Sequence, residues 1–153
     1  MPPADIYVLG ERHDNPAHHV AQGDLIRRID PTAVVLEMLT DEQADRLTPD
    51  TPRDPQVLER ALDWSAMGWP DIATYMPVFL ASDAPILGAA GTPPDLSGFS
   101  LDTALPAKEQ AEREALQADA HCGALPTDLL PQFVDRQRAV DAQFAARTLA
   151  ALD

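Results

Sequence analysis

The chain has 153 residues, enough for one domain that buries roughly 70% of the surface its unfolded chain exposes. Twenty-five acidic residues against eleven basic ones give a formal charge of -14, which repels phosphate backbones and anionic headgroups and argues against nucleic acid as a partner. The same charge draws cationic or metal-bearing ligands and also serves plain solubility. Aromatic residues are only 5% of the chain, so the core must rest on aliphatic side chains and an aromatic in a cleft stands out.

No stretch approaches the roughly 18 apolar residues of a membrane span, and Met1-Pro2-Pro3-Ala4-Asp5 has neither the basic nor the apolar region of a leader. The expectation is a soluble chain without a membrane span, placed in the cytoplasm. Cys122 is the single cysteine, so no internal disulfide can form.

In chain order, Ile6-Tyr7-Val8-Leu9 before Gly10 is a short apolar run of the kind that forms a strand buried on both faces of a parallel sheet. Ala17 to Ile29 follows as a helix with Val20, Leu25, Ile26 and Ile29 on its apolar stripe, stopped by Asp30-Pro31. Ala33-Val34-Val35-Leu36 is a second buried strand. Thr40, with Glu42-Gln43 behind it, caps a helix beginning at Asp41.

Pro49, Pro52 and Pro55 precede a helix from about Gln56 to Ser65, and Met67-Gly68-Trp69-Pro70 reads as a loop. Asp71 to Ser82 is helical with Pro77 as a kink or interruption. Pro85 to Ala89 makes a third strand, and Gly91 to Pro106 an irregular loop. Ala107 to Ala118 is a polar helix. Thr127 to about Leu152 is a long one, with Leu130, Val134, Gln137, Asp141, Phe144 and Thr148 on one face. The sum is an α/β fold with a mostly parallel sheet and helices packed around it, in one domain spanning residues 1–153.

Chemistry concentrates at the strand ends. Glu11 and His13 follow the first apolar run and Glu37 follows the second, and ligands in open α/β sheets bind beyond the carboxyl ends of strands. Glu, His and Glu at one sheet edge can hold a divalent metal or act as acid and base. Asp14-Asn15-Pro16 favours a turn that folds His18 back toward His13, which makes His18 the better ligand candidate than His19. His121-Cys122 offers a donor pair or pocket wall, although nothing local supplies the base a cysteine nucleophile needs. Gln137 and Asp141, four apart on an apolar stripe, are either a buried hydrogen-bonded pair or a pocket lining. Trp64, Trp69 and Tyr75 could stack on a flat macrocycle, with Tyr75 also able to ligate iron. Core packing is the competing role for all three.

Leu9-Gly10-Glu11-Arg12-His13-Asp14-Asn15-Pro16-Ala17-His18-His19 followed by Val34-Val35-Leu36-Glu37-Met38 resembles the opening signature of ChaN-like proteins. That family is grouped with Tiki-type proteases and erythromycin esterases. Trp64, Gly68-Trp69, Tyr75-Met76-Pro77-Val78-Phe79, His121-Cys122-Gly123 and Gln137 follow the same order. The resemblance implies haem binding in haem or iron acquisition, with tyrosine ligation falling to Tyr75 and with His13, His18, His121 and Gln137 around the cofactor. It also implies dimers that enclose haem between protomers. Family members continue with a further strand ending in glycine-histidine, so the resemblance implies a C-terminally short version, and the lipoprotein anchor known in the family has no counterpart in the opening residues. The alternative it carries is a hydrolase in which Glu11, His13 and Glu37 form the catalytic or metal-binding set.

Overall fold

The computed structural model describes residues 2–91 and 96–152. Its elements are α1 (Pro16–Ile29), β1 (Val34–Thr40), α2 (Asp41–Ala44), α3 (Pro55–Leu62), α4 (Met76–Phe79), β2 (Ile86–Ala90), α5 (Ala107–Ala120) and α6 (Leu130–Ala150). Short 3-10 turns cover Trp64–Met67, Ile72–Tyr75 and Thr127–Leu129. β1 and β2 pair in parallel, Val34 opposite Ile86 and Leu36 opposite Gly88, so the fold is α/β. The chain divides into two compact units, Met1–Thr92 with Arg147–Asp153, and Pro93–Ala146.

In the first unit, local chemistry sets each boundary. Asn15 caps α1 by accepting the Ala17 N–H, Pro16 occupies the first turn, and Asp30 closes the helix in the left-handed region at φ 52°. The expected cap at Thr40 forms a full capping box: Thr40 Oγ1 accepts from the Gln43 N–H while Gln43 Oε1 accepts from the Thr40 N–H. Asp54 caps α3, which ends earlier than its composition suggests because Asp63 turns left-handed at φ 51°. Pro77 divides the helix expected over residues 71–82 into the 3-10 turn Ile72–Tyr75 and the single turn of α4.

The core of this unit gathers Leu36, Met38 and Leu39 of β1, Leu58 and Leu62 of α3, and Trp64, Tyr75 and Phe79, with Ile26 of α1 and Ile86 of β2. Where α1 crosses α4, Gly23 lies so close to Pro77 that a Cβ would run into the Pro77 carbonyl. Gly88 meets the Thr40 carbonyl in the same way, at the place where the β1–β2 register slips.

Two expectations for this unit need correction. Ile6 to Leu9 is not a strand: among the described residues the sheet has two strands, and Val8 is 82% exposed. An apolar run becomes a strand only where a neighbour offers backbone partners. Here the Leu9 carbonyl accepts from Gln22 Nε2 instead, and Tyr7 Oη donates to the Pro2 carbonyl. The buried stripe of α1 is also rotated. It runs through His19, Gly23 and Ile26, whereas Val20 is 50% exposed.

The second unit is more polar. No residue of α5 is buried, and its surface is tied by four-residue pairs, Arg113 to Glu109 and Gln110 to Glu114. Cys122 and Gly123, at φ 53° and 70°, terminate it, with the Gly123 N–H on the Ala118 carbonyl. On α6 the sheltered positions advance in steps of four: Leu130, Val134, Arg138 and Ala142. Arg138 belongs there because its guanidinium donates to the Ser100 and Thr103 carbonyls. Gln137 and Asp141, expected on the apolar face, are exposed and bond each other at 2.8 Å. Among the described residues no helix is long and apolar enough to cross a membrane.

Candidate functional site

The first unit holds a compact polar cluster with Glu11 at its centre. Glu11 leaves the extended N-terminal segment with only 9% of its side chain exposed. His13 Nδ1 lies 2.7 Å from Glu11 Oε1, and the Tyr75 hydroxyl donates to the same oxygen at 3.1 Å. The second oxygen, Oε2, is 3.3 Å from Nε2 of His19. Three residues from three separate segments therefore converge on one carboxylate.

Each arrives for a local reason. The backbone at Arg12 to His18 folds into a tight loop, with the Asn15 N–H on the Arg12 carbonyl and the Arg12 N–H donating to Nδ1 of His18. This loop holds Glu11 and His13 two residues apart on the same side. His18 is thereby used as a loop clasp and is not part of the cluster. His19 is fully buried on the inner stripe of α1, where its Nδ1–H donates to the Thr74 carbonyl at 3.0 Å and its ring stacks on Tyr75 at 3.9 Å. Tyr75 ends a 3-10 turn capped by Asp71, and Trp64 packs edge-on against it at 5.0 Å. Trp69 packs edge-on against His13 at 4.8 Å.

These walls govern the electrostatics. Tyr75 is 1% exposed. Burial first, then the charge and hydrogen bond of Glu11, then the charge of Glu37, push its phenol well above the usual tyrosine range. Its hydroxyl is a hydrogen-bond donor to Glu11. His13 differs: 38% of its side chain is exposed, and with Nδ1–H committed to Glu11 its Nε2 is left as the available lone pair. A carboxylate that fixes the tautomer and aim of a histidine in this way is the usual outer support of a metal-binding imidazole.

His19 Nε2 meets no atom at a hydrogen-bonding angle, although Glu11 Oε2 is within ion-pair distance.

The remaining expected residues fall elsewhere. Glu37 is half-buried in β1 and reaches the cluster through its charge on Tyr75. Among the described residues no three His, Cys, Asp or Glu side chains are grouped as a metal ion requires, so Glu11, His13 and Glu37 do not form such a trio. His121 and Gln137 belong to the second unit. There they line an open depression of about 250 Å³ with Gln117, Phe133, Arg136 and Val140. His121 is exposed, its Nδ1 on the Gln117 carbonyl and its ring edge-on to Phe133.

The residue that sequence reasoning undervalued is His19. Its signal was present: with Gly23 and Ile26 it makes a four-and-three step down α1, which the more apolar Val20 obscured.

An α/β unit with a carboxylate-centred histidine and tyrosine cluster defines the class of site. The chain belongs to the family of haem-binding uptake proteins, Tiki superfamily, ChaN, whose family model matches residues 1–96. That stretch contains Glu11, His13, His19, Glu37 and Tyr75, and leaves out His121 and Gln137. No curated protein and no solved structure gives a match.

Proposed function

We propose that this protein binds haem in the handling or acquisition of iron, and that His13 is its axial ligand. The observation that supports this reading is the Glu11–His13 pair. Its 2.7 Å hydrogen bond occupies Nδ1 and leaves Nε2 as a bare, partly exposed donor, the form of imidazole that binds iron. Trp69 beside it supplies apolar surface for a flat macrocycle. Bound haem would supply redox-active iron, and the protein's part is to aim the imidazole and keep its tautomer fixed.

Tyr75 supports the ligand by holding Glu11 in place. This gives tyrosine a supporting role here, while the resemblance to the family had suggested ligation. A second copy of the chain covering the outer face of the macrocycle belongs to the same reading.

The Glu11–His13 pair also favours a second reading, a hydrolase in which His13 is a general base oriented by a carboxylate. One experiment separates them. Haemin is titrated into the purified chain and followed by visible absorption, with Tyr75→Phe and His13→Ala alongside. The haem reading expects a saturable Soret shift that survives Tyr75→Phe and disappears in His13→Ala. No saturable shift, together with ester or amide turnover abolished by His13→Ala, replaces it with the hydrolase.

A further inference from the structure

We infer that the second unit carries a small binding site of its own, the open depression between α5 and α6, which takes an aromatic carboxylate and recognises its charge through Arg136. The site lies wholly within Pro93–Ala146 and is independent of the Glu11 cluster and of the haem reading.

Two facing stripes build it. On α6, Phe133, Arg136, Gln137 and Val140 follow one another at steps of three and four, so they share one helix face. Gln117 of α5 and His121 at its C-cap stand four apart and supply the other side. The two stripes meet where the His121 ring packs edge-on against Phe133 at 5.3 Å. A carbonyl can only accept, so His121 Nδ1 carries the hydrogen in its 2.8 Å bond to the Gln117 carbonyl, and this bond holds the ring in place. Phe133 and Val140 are half-buried while Arg136 and Gln137 are exposed. Apolar and polar surface therefore adjoin within one depression.

Arg136 decides which ligand suits it. In a chain with 25 acidic residues a surface guanidinium readily finds a carboxylate, as Arg113 does at 2.8 Å and Arg138 at 3.4 Å. Among the described residues Arg136 has no such partner. The acids nearest to it along α6 are already engaged, Asp135 by Arg138 and Asp141 by Gln137. What remains is a planar fork of N–H donors, the shape that a carboxylate matches with both oxygens.

Charge alone does not make the site, because an exposed ion pair competes with water and is worth little. A ring beside the carboxylate adds what water cannot replace, contact with Phe133, His121 and Val140. The volume of about 250 Å³ falls below the roughly 300–1,000 Å³ of sites for drug-sized ligands. It suits one substituted ring rather than a macrocycle, and because the depression is open the binding is weak and fast in exchange.

The test is a titration of benzoate into the ¹⁵N-labelled full chain, followed by proton–nitrogen NMR. Benzamide and acetate serve as probes that lack the charge and the ring. Benzoate is expected to give saturating shifts centred on the six lining residues. Arg136→Gln, an exposed substitution that leaves the fold intact, should weaken benzoate about tenfold, the worth of one charge-assisted hydrogen bond. Arg60→Gln, which removes an exposed arginine of the first unit, should leave benzoate binding unchanged. Shifts that fail to saturate, that centre elsewhere, or that persist equally in Arg136→Gln overturn the inference. Benzamide or acetate binding as tightly as benzoate overturns it as well, because the charge or the ring would then contribute nothing.

Discussion

His19 and His121 are the same side chain in two different settings, and the contrast extends to the units that carry them. In the first unit a fully buried His19, a stacked Tyr75 and a mostly buried Glu11 are enclosed by Trp64 and the aliphatic core. In the second, His121, Gln137 and Asp141 are exposed and satisfied by neighbours one helical turn away. Hydrogen bonds and charges act more strongly where water is excluded. The first unit can therefore hold a tyrosine proton beyond its ordinary range. The second can only arrange side chains that water competes for.

The largest effect that would sharpen this contrast is expected at Trp64, which is 1% exposed, packs against Tyr75 and Phe79 and donates to the Pro70 carbonyl. Trp64→Ala should lower unfolding stability by about 3–5 kcal/mol, read from denaturant melts. A loss under 1 kcal/mol would mean the walls of the cluster are not a packed core. Gly23→Ala is next, because its Cβ would meet the backbone of Pro77. Overpacking there should cost about 1–3 kcal/mol, and a neutral result would separate α1 from α4.

Tyr75 gives a smaller effect with a defined sign. Its folded pKa lies above the unfolded value of about 10, so the folded state keeps a proton that the unfolded state releases. The stabilisation is complete below pH 10 and is lost as pH rises beyond it, at up to about 1.4 kcal/mol per pH unit. Melts across alkaline pH should show this slope in the wild type and a shallower one in Tyr75→Phe; equal slopes would contradict the burial of the phenol. Smallest of all, Gln137→Ala removes an exposed pair and should change stability by no more than about 0.5 kcal/mol. A larger loss would show that the face of α6 read as solvated is structural.

The same contrast explains what could be read from the sequence. α1, β1 and β2 were legible because Asn15-Pro16, Asp30-Pro31, Thr40 with Gln43, and the Val34 and Ile86 runs are local signals with local causes. The pairing of Glu11 with His13 was legible for the same reason, since two residues in one short loop cannot lie far apart. Ile6 to Leu9 misled because strand formation depends on a neighbour that the run itself does not specify. His19 was obscured because hydrophobicity ranks valine above histidine, although the helix buries whichever residue faces Tyr75 and Pro77. Gln137 and Asp141 misled in the opposite direction: a periodicity near 3.6 gave one face, and Arg138, sheltered by two backbone carbonyls, turned the helix to another.

One ligand sets the two units against each other. Haemin binding is measured by visible absorption for His13→Ala and His121→Ala in parallel with the wild type. His121→Ala is expected to retain the wild-type Soret band and affinity while His13→Ala loses the saturable shift. Binding that survives His13→Ala and disappears in His121→Ala would place the ligand in the second unit and contradict its assignment to His13.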